Sequence, residues 1–197
     1  MERLRTARRY LRACGHPKKI DELQFFEFDK NGPNDFTTIE NWLRQGHSVG
    51  VISESGMPGI ADPGSELVSW AHGKGIPVRP LVGPSSIPLA LAASGLNGQN
   101  FCFSGYLPIK ENDLKKKLES LESQIFKNNQ TQVFIETPYR NDRMLKMLKT
   151  YLNKNIKLCI ARDVTGQDEL IMCKKIGQWL NEKITIGKYP CVFLLGK

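Results

Sequence analysis

Histidine is scarce in this chain: His16, His47 and His72 are the three among 197 residues, set far apart at turns or helix ends. That placement argues against a histidine metal site and against a nucleophile–histidine triad. The five cysteines (Cys14, Cys102, Cys159, Cys173, Cys191) are scattered and odd in number. None forms a C-x-x-C pair, so neither zinc nor a dithiol redox motif is indicated. Most sit in apolar runs and read as reduced core residues of a cytoplasmic protein. No run approaches the roughly 18 apolar residues of a membrane span. The basic N-terminus has no apolar stretch behind it, so it is not a secretory signal. Three phosphate- and acyl-chemistry motifs are missing as well. There is no G-x-x-x-x-G-K-[ST], no G-x-G-x-x-G after a strand and no G-x-S-x-G elbow.

What is present is basic charge. The formal net charge is +8, with an isoelectric point near 9.3. An excess of this size favours an anionic partner, nucleic acid first. Arg3, Arg5, Arg8, Arg9 and Arg12 crowd the first helical run, and Lys115 to Lys117 form a second cluster. Arginine is the better phosphate ligand, so the first cluster carries more weight.

Along the chain, helical and extended patterns alternate, which is the α/β class. Residues 2–14 read as a helix on the spacing of Leu4, Ala7, Leu11 and Cys14, stopped by Gly15 and Pro17. Leu23–Phe28, Val49–Ser53 and Val78–Val82 read as strands, and Asn31–Asn34 as a turn. Helices are expected over 36–45, from the Asp62-Pro63 start to 72, and from 86 to 93. Strand 101–104 comes next. A composition change after Gly105-Tyr106-Leu107-Pro108 suggests two domains, 1–104 and 105–197. The second should hold helices over 112–127 and 139–151, strands over 131–136, 156–161, 170–173 and 192–195, and a helix through Trp179 and Leu180.

One stretch stands out. Ser53–Gly64 reads S-E-S-G-M-P-G-I-A-D-P-G and joins an expected strand to an expected helix. It exceeds the roughly two to six residues usual for such a connection. Its glycines allow turns and close approach of a ligand to the backbone. Its prolines make it shaped rather than loose. A loop at the carboxyl end of a strand in an α/β sheet is where ligands bind. Glu54 and Asp62 would repel phosphate and suit hydroxyls, amines or a cationic centre.

These residues carry a resemblance. V-G-V-I-S-E-S-G-M-P-G-I-A-D-P-G, R-P-L-V-G-P-S-S-I-P-L-A-L-A-A-S-G-L, F-C-F-S-G-Y-L-P, V-F-I-E-T-P-Y-R, A-R-D-V-T and P-C-V-F-L-L-G occur in that order over nearly the whole chain. The set resembles the tetrapyrrole methylase family, nearest the branch that methylates ribose 2′-hydroxyls of small-subunit ribosomal RNA. The resemblance implies two α/β domains, each a mixed sheet flanked by helices, with S-adenosylmethionine bound in the cleft between them, usually in a homodimer.

Carried over by motif, cofactor contacts fall on Ser53, Glu54, Ser55 and Gly56, with Pro58, Gly59 and Asp62 shaping the loop. Ser85 and Ser86 should face the same cleft, and Glu136, Thr137 and Pro138 should meet the cofactor from the second domain. Glu136 and Glu54 are the candidate catalytic acceptors, and no metal is implied. Arg5, Arg8, Arg9 and Arg140 are the candidate RNA contacts. The chain departs from the branch at Glu54, where Asp is common, and at Tyr139, where His is common. Family members also begin with a strand and a Pro/Gly-rich turn. This chain starts on the helix that normally comes after them, which implies a truncated or alternative start. The branch's small C-terminal extension is absent too. Rival expectations are a methyltransferase for a corrin precursor or other small molecule, and a non-catalytic RNA-binding relative.

Overall fold

The computed structural model describes residues 1–29 and 32–197. The expected turn at Asn31–Asn34 therefore lies partly outside the described residues. The chain forms two compact units, Met1–Ser85 and Ser86–Lys197. The division falls ahead of the expected boundary at 104/105. The reason is that the helix at 86–94 and the strand at 101–106 pack with the strands of the C-terminal segment.

The second unit is a five-stranded mixed sheet with helices on both faces. Its strands are β1 (Phe101–Tyr106), β2 (Thr131–Glu136), β3 (Lys157–Arg162), β4 (Leu170–Lys175) and β5 (Cys191–Gly196), in spatial order β1-β2-β5-β3-β4. β1 and β2 run parallel, and every other pair is antiparallel. Successive residues point to opposite faces, and here both faces are apolar. In β3, Leu158 and Ile160 enter one core while Cys159 and Ala161 enter the other. In β5, Phe193 and Leu195 alternate in the same way with Val192 and Leu194.

The helices of this unit are α4 (Ser86–Ser94), α5 (Glu111–Asn128), α6 (Asn141–Tyr151) and α7 (Ile176–Trp179). The larger core lies under α5, α6 and α7. Leu114, Leu118, Leu121 and Ile125 form the buried stripe of α5, at helical spacing. Phe134 and Phe193 are register partners with rings stacked at 5.3 Å. Trp179 is fully buried and donates its indole N–H to Leu158 O at 2.9 Å. The smaller core is covered by α4 through Ile87, Ala90 and Leu91.

The first unit carries helices α1 (Leu4–Ala13), α2 (Thr37–Arg44) and α3 (Ser65–Gly73) and a short 3-10 turn, Ile20–Glu22. Its core gathers Phe28, Phe36, Ile39 and Leu67, with Phe26, Trp42, Leu43, Val49, Val51 and Trp70 packed against them. The expected strands at 23–28, 49–53 and 78–82 form no ladder among the described residues. Apolar patterning states which side chains seek a core. It does not supply the neighbouring backbone that a strand needs for its N–H and C=O groups. Among the described residues, backbone pairing there joins Met1 to the 26–28 segment. Met1 N donates to Phe26 O at 2.7 Å, and Phe28 N donates to Met1 O at 2.9 Å. Val78, Leu81 and Val82 are exposed.

Candidate functional site

The long loop is held by its own turns. The Ser53 hydroxyl donates to Gly56 O at 3.1 Å. Gly59 N donates to Pro63 O at 3.3 Å, and Ile60 N to Met57 O at 3.2 Å. Ala61 sits at φ +62, a left-handed conformation that disfavours a side chain. Such strain collects at ligand sites. Gly64 sits at φ +134, and a Cβ there would lie 3.4 Å from a Val51 methyl and 3.5 Å from Gly59 N. Gly64, rather than Asp62, is the N-cap of α3, and the helix starts at Ser65. The expected Asp62-Pro63 start gives way because the chain needs the glycine conformation to turn into the helix.

Ser53, Glu54, Ser55, Gly56 and Pro58 line a cavity of about 420 Å³. Thr6, Ala7 and Tyr10 of α1 form another wall, and Leu81–Pro84 form a third. Its size falls within the roughly 300–1,000 Å³ usual for small-molecule sites. Glu54 Oε2 lies 3.5 Å from Arg3 Nε, and the Glu54 N–H donates to the Glu2 carboxylate at 3.2 Å. The cavity therefore combines apolar wall, exposed glycine backbone and two carboxylates against one guanidinium. This suits a ligand with an apolar or aromatic body and cationic or hydroxyl groups. Gly59, Asp62, Ser85 and Ser86 do not line it.

The same helix carries the basic stripe. Arg5, Arg8, Arg9 and Arg12 recur at three- and four-residue intervals, so they share one face. Leu4, Ala7 and Leu11 turn inward. The stripe, with Arg3, Leu4 and Glu27, lines an open groove of about 640 Å³. Arg8 is anchored by Asp21 and lies 5.9 Å from the centre of the Phe25 ring. Arg3 lines both the groove and the loop cavity.

In the second unit, Glu136 ends β2 with its side chain fully buried. One carboxylate oxygen accepts the Thr137 N–H at 2.7 Å and the Thr137 hydroxyl at 3.3 Å. The other lies 2.9 Å from Arg140 Nη2. Expected as a candidate catalytic acceptor, Glu136 has one oxygen hydrogen-bonded to Thr137 and the other in ion-pair contact alone with Arg140. Arg140, expected to meet RNA, is mostly buried in that ion pair. Tyr139 projects outward beside Lys188, whose Nζ lies 5.0 Å from its ring centre.

Sequence reasoning missed Asn141 here. It is fully buried, and its amide donates to Gly187 O at 3.0 Å and Tyr189 O at 2.8 Å, tying that loop to the start of α6. An asparagine directly after the turn at a helix start was the available signal. Among the described residues, no group of three or more His, Cys, Asp or Glu is arranged to hold a metal ion, and no helix is long and apolar enough to cross a membrane.

A profile of tetrapyrrole (corrin/porphyrin) methylases matches residues 12–185. The chain belongs to the tetrapyrrole methylase family. Within that family it is similar to the ribosomal RNA small subunit methyltransferase I of Vibrio cholerae, at 34% identity over 89% of this chain and 61% of the relative. The protein of the same name from Haemophilus influenzae is 35% identical over 71% of this chain and 49% of the relative. The chain thus spans about half to three-fifths of the length of the curated relatives it matches. Among solved structures, the methyltransferase CobJ superposes with a TM-score of 0.54 at 22% identity, covering 82% of this chain and 69% of that one. That likeness supports the α/β methylase fold.

Proposed function

We propose that the protein is an S-adenosylmethionine-dependent methyltransferase acting on a ribose 2′-hydroxyl of small-subunit ribosomal RNA, as a cytoplasmic homodimer. The observation that carries this reading is the double use of α1. Its arginine stripe opens one groove while its first turn walls the loop cavity, and Arg3 belongs to both. An RNA backbone held by Arg5, Arg8 and Arg9 would be led toward that cavity. The family membership and the names of the most similar relatives point the same way.

The cofactor fits the residues present. Ser53, Glu54, Ser55 and Gly56 would hold it through backbone and hydroxyl groups, and Pro58, Gly59 and Asp62 would keep the loop in shape. Glu54 with Glu2 suits a positive centre. Ser85 and Ser86, expected to face the cofactor, lie outside this cavity, and Thr137 and Pro138 belong to the second unit. When bound, S-adenosylmethionine supplies an electrophilic methyl group on a sulfonium. The protein's contribution is alignment of the acceptor hydroxyl, with the reacting atoms about 3 Å apart. Glu54 can accept a hydrogen bond from that hydroxyl. Glu136, with Arg140, holds the Thr137-Pro138 turn rigid.

Calorimetric titration with S-adenosylmethionine, then methyl transfer to small ribosomal subunits, tests the reading. Saturable one-site binding and a methylated ribose are expected. Absence of binding would sink the enzyme and leave an RNA-binding relative. Binding without transfer to subunits would move the acceptor to a small molecule such as a corrin precursor.

A further inference from the structure

Sequence spacing separates the five thiols, but the sheet register brings two of them together. Cys159 of β3 and Cys173 of β4 are direct partners across the antiparallel hairpin. Direct partners point to the same face, and both side chains belong to the α4-side core. Opposed residues of an antiparallel pair have Cα atoms about 4.5–5.5 Å apart. That lies inside the roughly 4.4–6.8 Å Cα span of a disulfide. The pair sits on the hairpin made by the edge strand, where pairing stops on one side.

The two sulfurs are unequal. Cys159 is fully buried, whereas Cys173 is partly accessible. The hydrogen bond from Cys159 and then the Lys157 ammonium, acting against burial, lower the Cys173 thiol to about 7. The hydrogen bond with Cys173 and burial push Cys159 upward. Cys191, in β5, belongs to the core on the opposite face and is pushed up to about 12 by burial. An accessible, readily ionised thiol next to a buried partner is the arrangement of an attacking and a resolving cysteine.

We propose that Cys159 and Cys173 form a reversible dithiol–disulfide modification site, oxidised by a peroxide such as hydrogen peroxide. The Cys173 thiolate attacks one peroxide oxygen. An S–O bond forms, the O–O bond breaks, and the departing hydroxide takes a proton to become water. The Cys159 thiol then attacks the sulfenic sulfur of Cys173. The S–S bond forms, the S–O bond breaks, and the Cys159 proton leaves with the hydroxyl as a second water. Two thiols lose two electrons, and one peroxide becomes two waters. The product staples the edge strand to β3 and stiffens the α4-side core. A thiol reductant restores the dithiol.

Brief hydrogen peroxide treatment of the full chain, followed by peptide mass mapping, tests the site. The expected product joins the Cys159 and Cys173 peptides with a mass loss of about 2 Da and reverts with dithiothreitol. Cys191→Ser should leave that bridge intact, and Cys173→Ser should abolish it. Cys159→Ser should stop the reaction at a Cys173 sulfenic acid, trapped by dimedone. Cys173 carrying two added oxygens in the unmutated chain, with no bridge, would overturn the proposal. So would a product that joins Cys173 to Cys14, Cys102 or Cys191 instead of Cys159.

Discussion

The two units of this chain keep their order by different means. From Ser86 onward, five strands satisfy one another's backbone, and each face of the sheet is closed by helices. Before Ser86, order rests on helices α1 to α3, an aromatic cluster and the turns of one long loop. Ladders plus two-sided burial resist local opening, whereas turns and half-buried aromatics open at lower cost. The loop cavity and the arginine groove, proposed above as the cofactor and RNA sites, lie in the region with the weaker scaffold. Function placed on such a scaffold can adjust to a ligand. The ladder unit supplies a fixed frame.

Removal of a ring from each core should break the comparison most sharply. Phe134 is fully buried and stacked on Phe193. Phe134→Ala should cost about 3–5 kcal/mol. Phe36 in the first unit packs on Trp70 with ring centres 5.6 Å apart, in a cluster whose other members are mostly half-buried. Phe36→Ala should cost less and spare the second unit. Urea unfolding followed by tryptophan fluorescence separates the two, since Trp42 and Trp70 report on the first unit and Trp179 on the second. Equal losses from both variants would show that the units unfold as one.

Gly64→Ala comes next. The added Cβ meets Val51 and the Gly59 backbone at a φ that side chains avoid. A cost of about 1–3 kcal/mol is expected, confined to the first unit. Binding of S-adenosylmethionine, read by calorimetry, should weaken with it. Unchanged affinity would mean that the loop's shape does not matter to the cofactor.

The contrast also explains what the sequence made legible. Strand 131–136 and the helix over 86–94 emerged within a residue of their expected limits, because period and length agreed with tertiary pairing. The strands at 49–53 and 78–82 had the same local pattern and did not form. Hydrophobic alternation is local information, while a ladder is a statement about a second segment. The loop was legible from its glycines and prolines, and five of its proposed contact residues do line one cavity. The engagement of Glu136 with Arg140 was legible only as i,i+4 spacing, which does not reveal burial. The pairing of Cys159 with Cys173 was hidden because spacing was read along the chain. The two positions are equidistant from Gly166, the centre of the hairpin.

The arginine groove offers a smaller test, residue by residue. If Arg5, Arg8 and Arg9 neutralise RNA phosphates, replacing all three by Gln should flatten the slope of log affinity against log salt by about 2 for single-stranded RNA. A filter-binding series over a range of salt reads this directly. Folding should be little affected, because these side chains are exposed. An unchanged slope would show that the stripe is solvated surface.

Acid should separate the units more gently. Asp35 accepts hydrogen bonds from the Thr37 hydroxyl at 2.6 Å and the Thr37 N–H at 3.0 Å, at the start of α2. These bonds hold its carboxyl below the usual range. Glu40, on the same helix, is lowered first by Arg44 and also by Lys74. A carboxylate with a lowered native pKa binds fewer protons folded than unfolded. Its stabilisation is therefore present above the unfolded value and fades as pH falls through the folded one. Both groups belong to the first unit, so α2 should loosen there as the solution passes below the ordinary carboxylate range. Limited proteolysis across pH 5 to 2 with an acid-tolerant protease should cut near α2 before it cuts the sheet. Asp35→Asn should blunt that acid dependence, because its side chain no longer titrates. First cleavage within β2 or β5 would place the acid-sensitive structure in the ladder unit instead.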